Sequence, residues 1–191
     1  MASAGAGSRS PLVFDVSRLG RRPGAMMTVS HAVPSPARIG LELIAIQPGV
    51  GMSLELRFES VSEGILVSGN VVAPTVGECS RCLESITGAV EIALTELFAY
   101  PDSVTESTTE ADEVGHVVDQ TVDLEQSIVD AVGLALPFAP LCTPDCPGLC
   151  PQCGVRLATA ERGHSHDVID PRWAKLAEMV TPDDGSRGRD S

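Results

Sequence analysis

Aromatic side chains are scarce in this 191-residue chain: one Trp, one Tyr and four Phe, or 3%. Too few rings exist for a base-stacking surface, the usual grip on single-stranded nucleic acid. Lysine is nearly missing too, with Lys175 the sole example. No Gly-rich loop ending in Lys is present to cradle phosphates, and no His-Glu-x-x-His or Gly-x-Ser-x-Gly sequence occurs. No stretch approaches the roughly 20 apolar residues of a membrane span. The N-terminus lacks the apolar core of a secretory signal. These gaps lead to the expectation of an unsecreted protein that is not an enzyme, with no membrane association and no small-molecule substrate identified.

Charge is the first positive feature. The net charge is −13, and it is concentrated in the middle of the chain. Residues 1–60 carry +2, residues 61–140 carry −13 and residues 141–191 carry −2. The middle third repels phosphate and attracts a basic partner. Such acids also simply keep a surface soluble.

Periodicity supplies the fold class. Met52, Leu54, Leu56 and Phe58 alternate with Ser53, Glu55, Arg57 and Glu59, the period of a half-buried antiparallel strand. Pro11 to Val16, Arg38 to Ile46, Ile65 to Ala73 and the alternating run from Ile86 to Leu94 also read as strands, with Ser62-Glu63-Gly64 as a turn. Residues 17–36 have too little period for more than a loop or short helix. The acidic stretch 101–116 is expected to be a mobile insertion loop. Leu124, Ile128, Val132 and Leu136 fall four apart, so a helix is expected over 123–136, with Asp123 and Gln126 as a capping box and Pro137 as its stop. Asp170-Pro171 opens a second helix bearing Trp173, Leu176, Ala177 and Val180. The expected fold is α+β: a mainly antiparallel, curled sheet with one main helix, and a C-terminal Cys/His zinc-binding module. The expected limits are 11–140 and 141–181, with disordered tails at 1–10 and 182–191.

Chemistry is concentrated in the cysteines. Six occur, in a chain with no secretory signal, which favours metal over disulfides. Cys79-Ser-Arg-Cys82 and Cys150-Pro-Gln-Cys153-Gly154 each place two thiolates where one tetrahedral ion can be gripped. Cys142, Cys146, His164 and His166 raise the donors to eight, enough for two sets. Loop closure favours Cys150 and Cys153 with His164 and His166, leaving Cys142 and Cys146 to join Cys79 and Cys82. A single Cys142/Cys146/Cys150/Cys153 site is the rival. Cys79 and Cys82 could also be small core residues or a redox pair, although a redox Cys-x-x-Cys belongs at a helix N-terminus and a strand-like run follows here. The His-x-His could be ordinary loop residues. His31 and His116 read as solvated surface. One or two structural zinc ions are the expected cofactor, since a fully liganded zinc has no position left for a reacting water.

Three stretches together resemble one family: Gly77-Glu78-Cys79-Ser80-Arg81-Cys82-Leu83-Glu84, Cys146-Pro147-Gly148-Leu149-Cys150-Pro151-Gln152-Cys153-Gly154, and Asp170-Pro171-Arg172-Trp173-Ala174-Lys175-Leu176. The chain resembles, over residues 11–180, the YceD family of bacterial and plastid 23S rRNA accumulation proteins. That resemblance implies a cytoplasmic factor needed for 23S rRNA synthesis, processing or stability, with no catalytic residue to carry over. Many relatives have Cys-x-Cys where this chain has His164-Ser165-His166, a change that keeps metal competence. Two functional readings follow. In one, Arg18, Arg21, Arg22, Arg156, Arg162, Arg172 and Lys175 contact 23S rRNA or the pre-ribosomal large subunit, unless these cations pair with neighbouring acids. In the other, the acidic middle third receives a basic ribosomal protein or assembly factor and acts on rRNA indirectly. A redox or metal-handling protein is a third class.

Overall fold

A computed structural model describes residues 10–108, 114–166 and 172. The chain divides into two compact units, Met1–Cys146 and Pro147–Ser191. Cys142 and Cys146, read from the sequence as the start of the C-terminal module, therefore belong to the first unit.

The first unit is a mostly antiparallel sheet with two helices. Its spine is a long hairpin of β6 (Gly64–Glu78) and β7 (Ser85–Ala99), in gap-free register from Gly64 opposite Ala99 to Glu78 opposite Ser85. The other edge of β6 pairs with β5 (Gly51–Ser60) and then, near its end, with β4 (Ile44–Ile46). β2 (Met26–Pro34) lies outside β5, and β3 (Ile39–Gly40) outside β4. Two short strands, β1 (Val13–Asp15) and β9 (Thr121–Asp123), form a separate pair. The period-two reading of β5 is met residue by residue: Met52, Leu54, Leu56 and Phe58 are buried, while Ser53, Glu55 and Arg57 are exposed. Each such burial contributes about 1.5–3 kcal/mol. These side chains join those of β6 and β7 in one core, which α2 (Glu125–Ala135) enters through Ile128 and Val132.

Several local expectations are corrected. Residues 26–34, read as loop or short helix, form β2. As an edge strand it buries little, so its sequence carries almost no period, and only Val33 along it is fully buried. The single strand expected over 38–46 is a tight hairpin, β3 and β4, because Gly40 takes φ +138° against the backbone of Ala45. The acidic loop at 101–116 contains a short helix, α1 (Val104–Thr108), and a strand, β8 (Gly115–His116), pairing parallel to the end of β7. The Asp123 capping box is absent. Asp123 closes β9 and its Oδ1 accepts from the Glu125 N–H, while the Gln126 amide donates to Asp130 instead. His31 sits exposed on β2, and His116 Nδ1 pairs with Glu106 at 2.6 Å. The helix expected after Asp170-Pro171 lies outside the described residues, as do both tails apart from Ser10.

Candidate metal centres

The β6–β7 hairpin is 15 residues long on each side, and its tip is the Cys79–Cys82 knuckle. β6 reaches that tip past β4 only because residue 77 is glycine: a Cβ there would stand 2.3 Å from the Leu43 carbonyl oxygen. The Leu43 carbonyl then accepts the Glu78 N–H at 2.8 Å, fixing the strand one residue before Cys79. Within the knuckle the Cys79 carbonyl accepts the Leu83 N–H at 2.9 Å, with Leu83 at φ 58°. Ser80 N–H donates to the Pro140 carbonyl at 2.8 Å, and the Arg81 guanidinium donates to the Cys146 carbonyl at 2.9 Å. These two bonds bring the segment bearing Cys142 and Cys146 onto the knuckle. Sequence reasoning missed Arg81, Pro140 and Leu43 as positioning residues. Arg81 had a local signal, its place between the two cysteines; the other two act through backbone carbonyls that any residue supplies.

The second unit repeats the turn. The Cys150 carbonyl accepts the Gly154 N–H at 2.9 Å, with Gly154 at φ 72°. Glycine occupies that left-handed position without the cost Leu83 carries, about 1–2 kcal/mol for a residue with a Cβ. Leu149 bridges Arg156, Cys150 N–H donates to Val155 and Leu157 N–H to Gly148, so the knuckle is the turn of a minimal hairpin. His164 N–H bonds to the Glu161 carbonyl at 3.0 Å and follows Gly163 at φ 85°, a turn that directs both histidines to Cys153.

Two donor sets result, each with all its ligand atoms within 4.8 Å of one another: Cys79, Cys82, Cys142 and Cys146 in the first unit, and Cys150, Cys153, His164 and His166 in the second. Their spacing suits a tetrahedral ion. With Zn–S near 2.3 Å, the edge of a thiolate tetrahedron is about 3.8 Å. The Cys79–Cys146 and Cys82–Cys142 sulfurs stand 3.7 and 3.6 Å apart. With Zn–N near 2.0–2.1 Å, a sulfur–nitrogen edge is about 3.5 Å and a nitrogen–nitrogen edge about 3.3 Å. Cys153 Sγ lies 3.4 Å from His164 Nε2 and 3.3 Å from His166 Nε2, and the two imidazole nitrogens are 3.0 Å apart. None of the six cysteines is in a disulfide.

Electrostatics shows what each set offers a cation. Burial pushes the Cys79 thiol up, but the backbone amides of Cys142, Arg81 and Cys82, with the Cys82 side chain, outweigh it and bring Cys79 down to about 6. The Glu84 amide favours a Cys82 thiolate, yet burial and the sulfurs of Cys79, Cys142 and Cys146 win and raise Cys82 to about 12. Without an ion, the first set thus accepts one negative charge readily and resists a second. In the second unit the Cys153 and Gln152 amides bring Cys150 to about 6 against burial, helped by His164 and Cys153. A thiol held below its ordinary value of 9.0 stabilises the fold fully above pH 9 and loses that contribution as the pH falls through about 6. Metal binding has to displace the protons these thiols carry, so any zinc held by the two sets should be lost as the pH falls through about 6, where Cys79 and Cys150 regain theirs. Dialysis against buffers of stepped pH, with zinc counted at each step, checks this; occupancy unchanged at pH 5 would contradict it.

The centres differ in exposure. Cys79, Cys82 and Cys146 are buried, with Cys142 partly so, whereas Cys153 and His166 are exposed and only Cys150 of the second set is buried. Of the cations read as RNA contacts, Arg18, Arg21 and Arg22 are exposed in the first unit, with Arg21 stacked 4.8 Å above the Tyr100 ring. Arg156, Arg162 and Arg172 are exposed in the second unit, and Lys175 lies outside the described residues. Among the described residues, no helix is long and apolar enough to cross a membrane.

Residues 67–180 match the family model described as "Large ribosomal RNA subunit accumulation protein YceD". An uncharacterized protein of Mycobacterium tuberculosis is 68% identical over 174 residues, covering 91% of this chain and 84% of its own length. One from Mycobacterium leprae is 60% identical over 185 residues, 93% and 85% of the two chains. The protein YlbN of Bacillus subtilis is 27% identical over 133 residues, 69% and 73%. No solved structure matches. The matched span takes in the hairpin tip and all eight clustered donors, and the chain belongs to the YceD family of large ribosomal RNA subunit accumulation proteins.

Proposed function

We propose that this protein is a non-enzymatic, cytoplasmic factor that supports 23S rRNA accumulation, with one structural zinc in each of its two Cys/His sets. The observation that carries the reading is the coincidence of the family match over 67–180 with both donor sets. Each set offers four ligands to a four-coordinate ion, leaving no position for a reacting water, so the zinc would shape a surface and take no part in a reaction. Cys79, Cys82, Cys142 and Cys146 would tie the hairpin tip to the end of the first unit. Cys150, Cys153, His164 and His166 would hold the second unit together.

The test is genetic and quantitative. Depleting the protein in its own host should lower the ratio of 23S to 16S rRNA, and the wild-type chain should restore it. A chain carrying both Cys79→Ser and Cys150→Ser should not. An unchanged ratio on depletion would overturn the proposal. Charge favours an indirect route through a basic protein over direct RNA contact, with −13 in residues 61–140 against +2 in residues 1–60. Pull-downs with and without ribonuclease separate the two: a partner that survives ribonuclease supports the protein route, and one that is lost supports RNA.

A further inference from the structure

β7 has one long side without a partner among the described residues. β6 covers its inner edge completely, but β8 covers only Phe98 and Ala99 of the outer edge, leaving Ser85–Leu97 unpaired there. The direction of the backbone groups can be read from the ladder. Ala99 C=O accepts from Val117 on the β8 side, while Tyr100 N–H donates to Glu63 on the β6 side. Antiparallel strands alternate in this respect, and the register has no gap. Thr87, Ala89, Glu91, Ala93, Thr95 and Leu97 therefore present their N–H and C=O groups outward. Natural sheets blunt such edges with lysine, proline or a bulge, and Ser85–Leu97 contains none of these.

Beside this edge runs a groove of about 620 Å³ between β7 and α2. Leu94, Ala131 and Leu134 give it an apolar side, and Leu134 is 90% exposed. Glu96, Asp123 and Asp130 give it three carboxylates, and no Lys, Arg or His lines it. A strand added to β7 would send alternate side chains towards this groove.

We propose that the outer edge of β7 and the β7–α2 groove capture an extended basic segment of another polypeptide by strand addition. The backbone of the segment completes the β7 ladder. Its Lys or Arg side chains, alternating along the strand, meet Glu96, Asp123 and Asp130, and their apolar stems lie over Leu134. The opposite sheet edge, β2, ends in Pro34, and the hollow beside it sets Arg57 next to Glu55. This binding mode adds to the assembly-factor reading without resting on it, because capture is measurable whatever the effect on rRNA.

The experiment uses the full, zinc-loaded chain and a fluorescent twelve-residue peptide of alternating Lys and Val. It should bind at least about ten-fold more tightly than the Glu/Val peptide, and than a Lys/Val peptide N-methylated at every second residue. Ala93→Pro removes an N–H that faces away from β6, so the ladder to β6 is kept; affinity should fall at least about ten-fold. The double variant Glu96→Lys, Asp130→Lys alters only the groove and should weaken binding by a similar factor, with a smaller salt dependence. Melting curves confirm that each variant is folded, and either variant alone suffices to read the result. Equal affinity of folded variants and wild type, or of the Lys and Glu peptides, overturns the proposal. Direct binding of a labelled twelve-nucleotide oligouridine that Ala93→Pro abolishes also overturns it, since the edge would then be serving RNA.

Discussion

Replacing Cys79 with serine is expected to remove one of the two proposed zinc ions per chain and to lower stability by on the order of 5 kcal/mol or more. The reason lies in what the first donor set connects. Cys79 and Cys82 sit at the end of the β6–β7 hairpin, and the cysteines they face, Cys146 and Cys142, lie 67 and 60 residues further along the chain. Hydrogen bonds from Ser80 to Pro140 and from Arg81 to Cys146 join the same two segments. Hydrogen bonds of this kind contribute about 1 kcal/mol each, whereas a structural zinc contributes about 10 kcal/mol or more at neutral pH. A serine hydroxyl is no substitute for a thiolate that the surrounding amides have already brought to about 6. Elemental analysis should give one zinc instead of two, and denaturant unfolding should show a lower midpoint. Arg81→Ala is the milder companion. It leaves all four sulfurs and removes one charge-assisted bond to the Cys146 carbonyl, so zinc stays bound and stability falls by about 1–3 kcal/mol. If Cys79→Ser retained two zinc ions and the wild-type midpoint, the first set would not be a metal centre.

The parts of this fold that were legible in the sequence are those decided within a few residues. β5 could be read from Met52 to Phe58 because one face is oil and the other water, and a one-residue slip would reverse them. Both knuckles could be read because a two-residue spacing between thiols is a local geometric fact. The strands that escaped are held by distant partners. β2 depends on nine successive pairs with β5, yet only Val33 of its side chains is fully buried, with Met27 and Val29 partly so. β8 is two residues, glycine and histidine, added in parallel to β7, and no composition announces that. The β3–β4 break was hidden because Leu41 and Leu43 look like strand residues, while the turn depends on the left-handed freedom of Gly40. At the site, the local knuckles were visible, but the bonds that carry Cys142 and Cys146 to the hairpin tip begin at backbone carbonyls. Those have no sequence signature.

Removing zinc from the second unit should have the other large effect, and a different one. Among the described residues 147–166, only Gly148 and Cys150 are buried. A segment with so little apolar burial has almost nothing to set against the conformational entropy of ordering it, about 1–2 kcal/mol per residue for the backbone alone. The hairpin bonds at Leu149–Arg156, Cys150–Val155 and Leu157–Gly148 are too few to hold it. The metal would then be the core. His164→Ala together with His166→Ala, which leaves the first donor set intact, should unfold residues 147–166 while the sheet of the first unit keeps its protection. Hydrogen exchange read peptide by peptide checks this. Amides of 147–166 should exchange within seconds after zinc removal, while those of β5, β6 and β7 remain slow. The exposure of Cys153 and His166 sets the order of events: the second set should give up its zinc to a chelator before the first, whose sulfurs are mostly buried. Retained protection over 147–166 in the zinc-free chain would mean that some other interaction supplies the core.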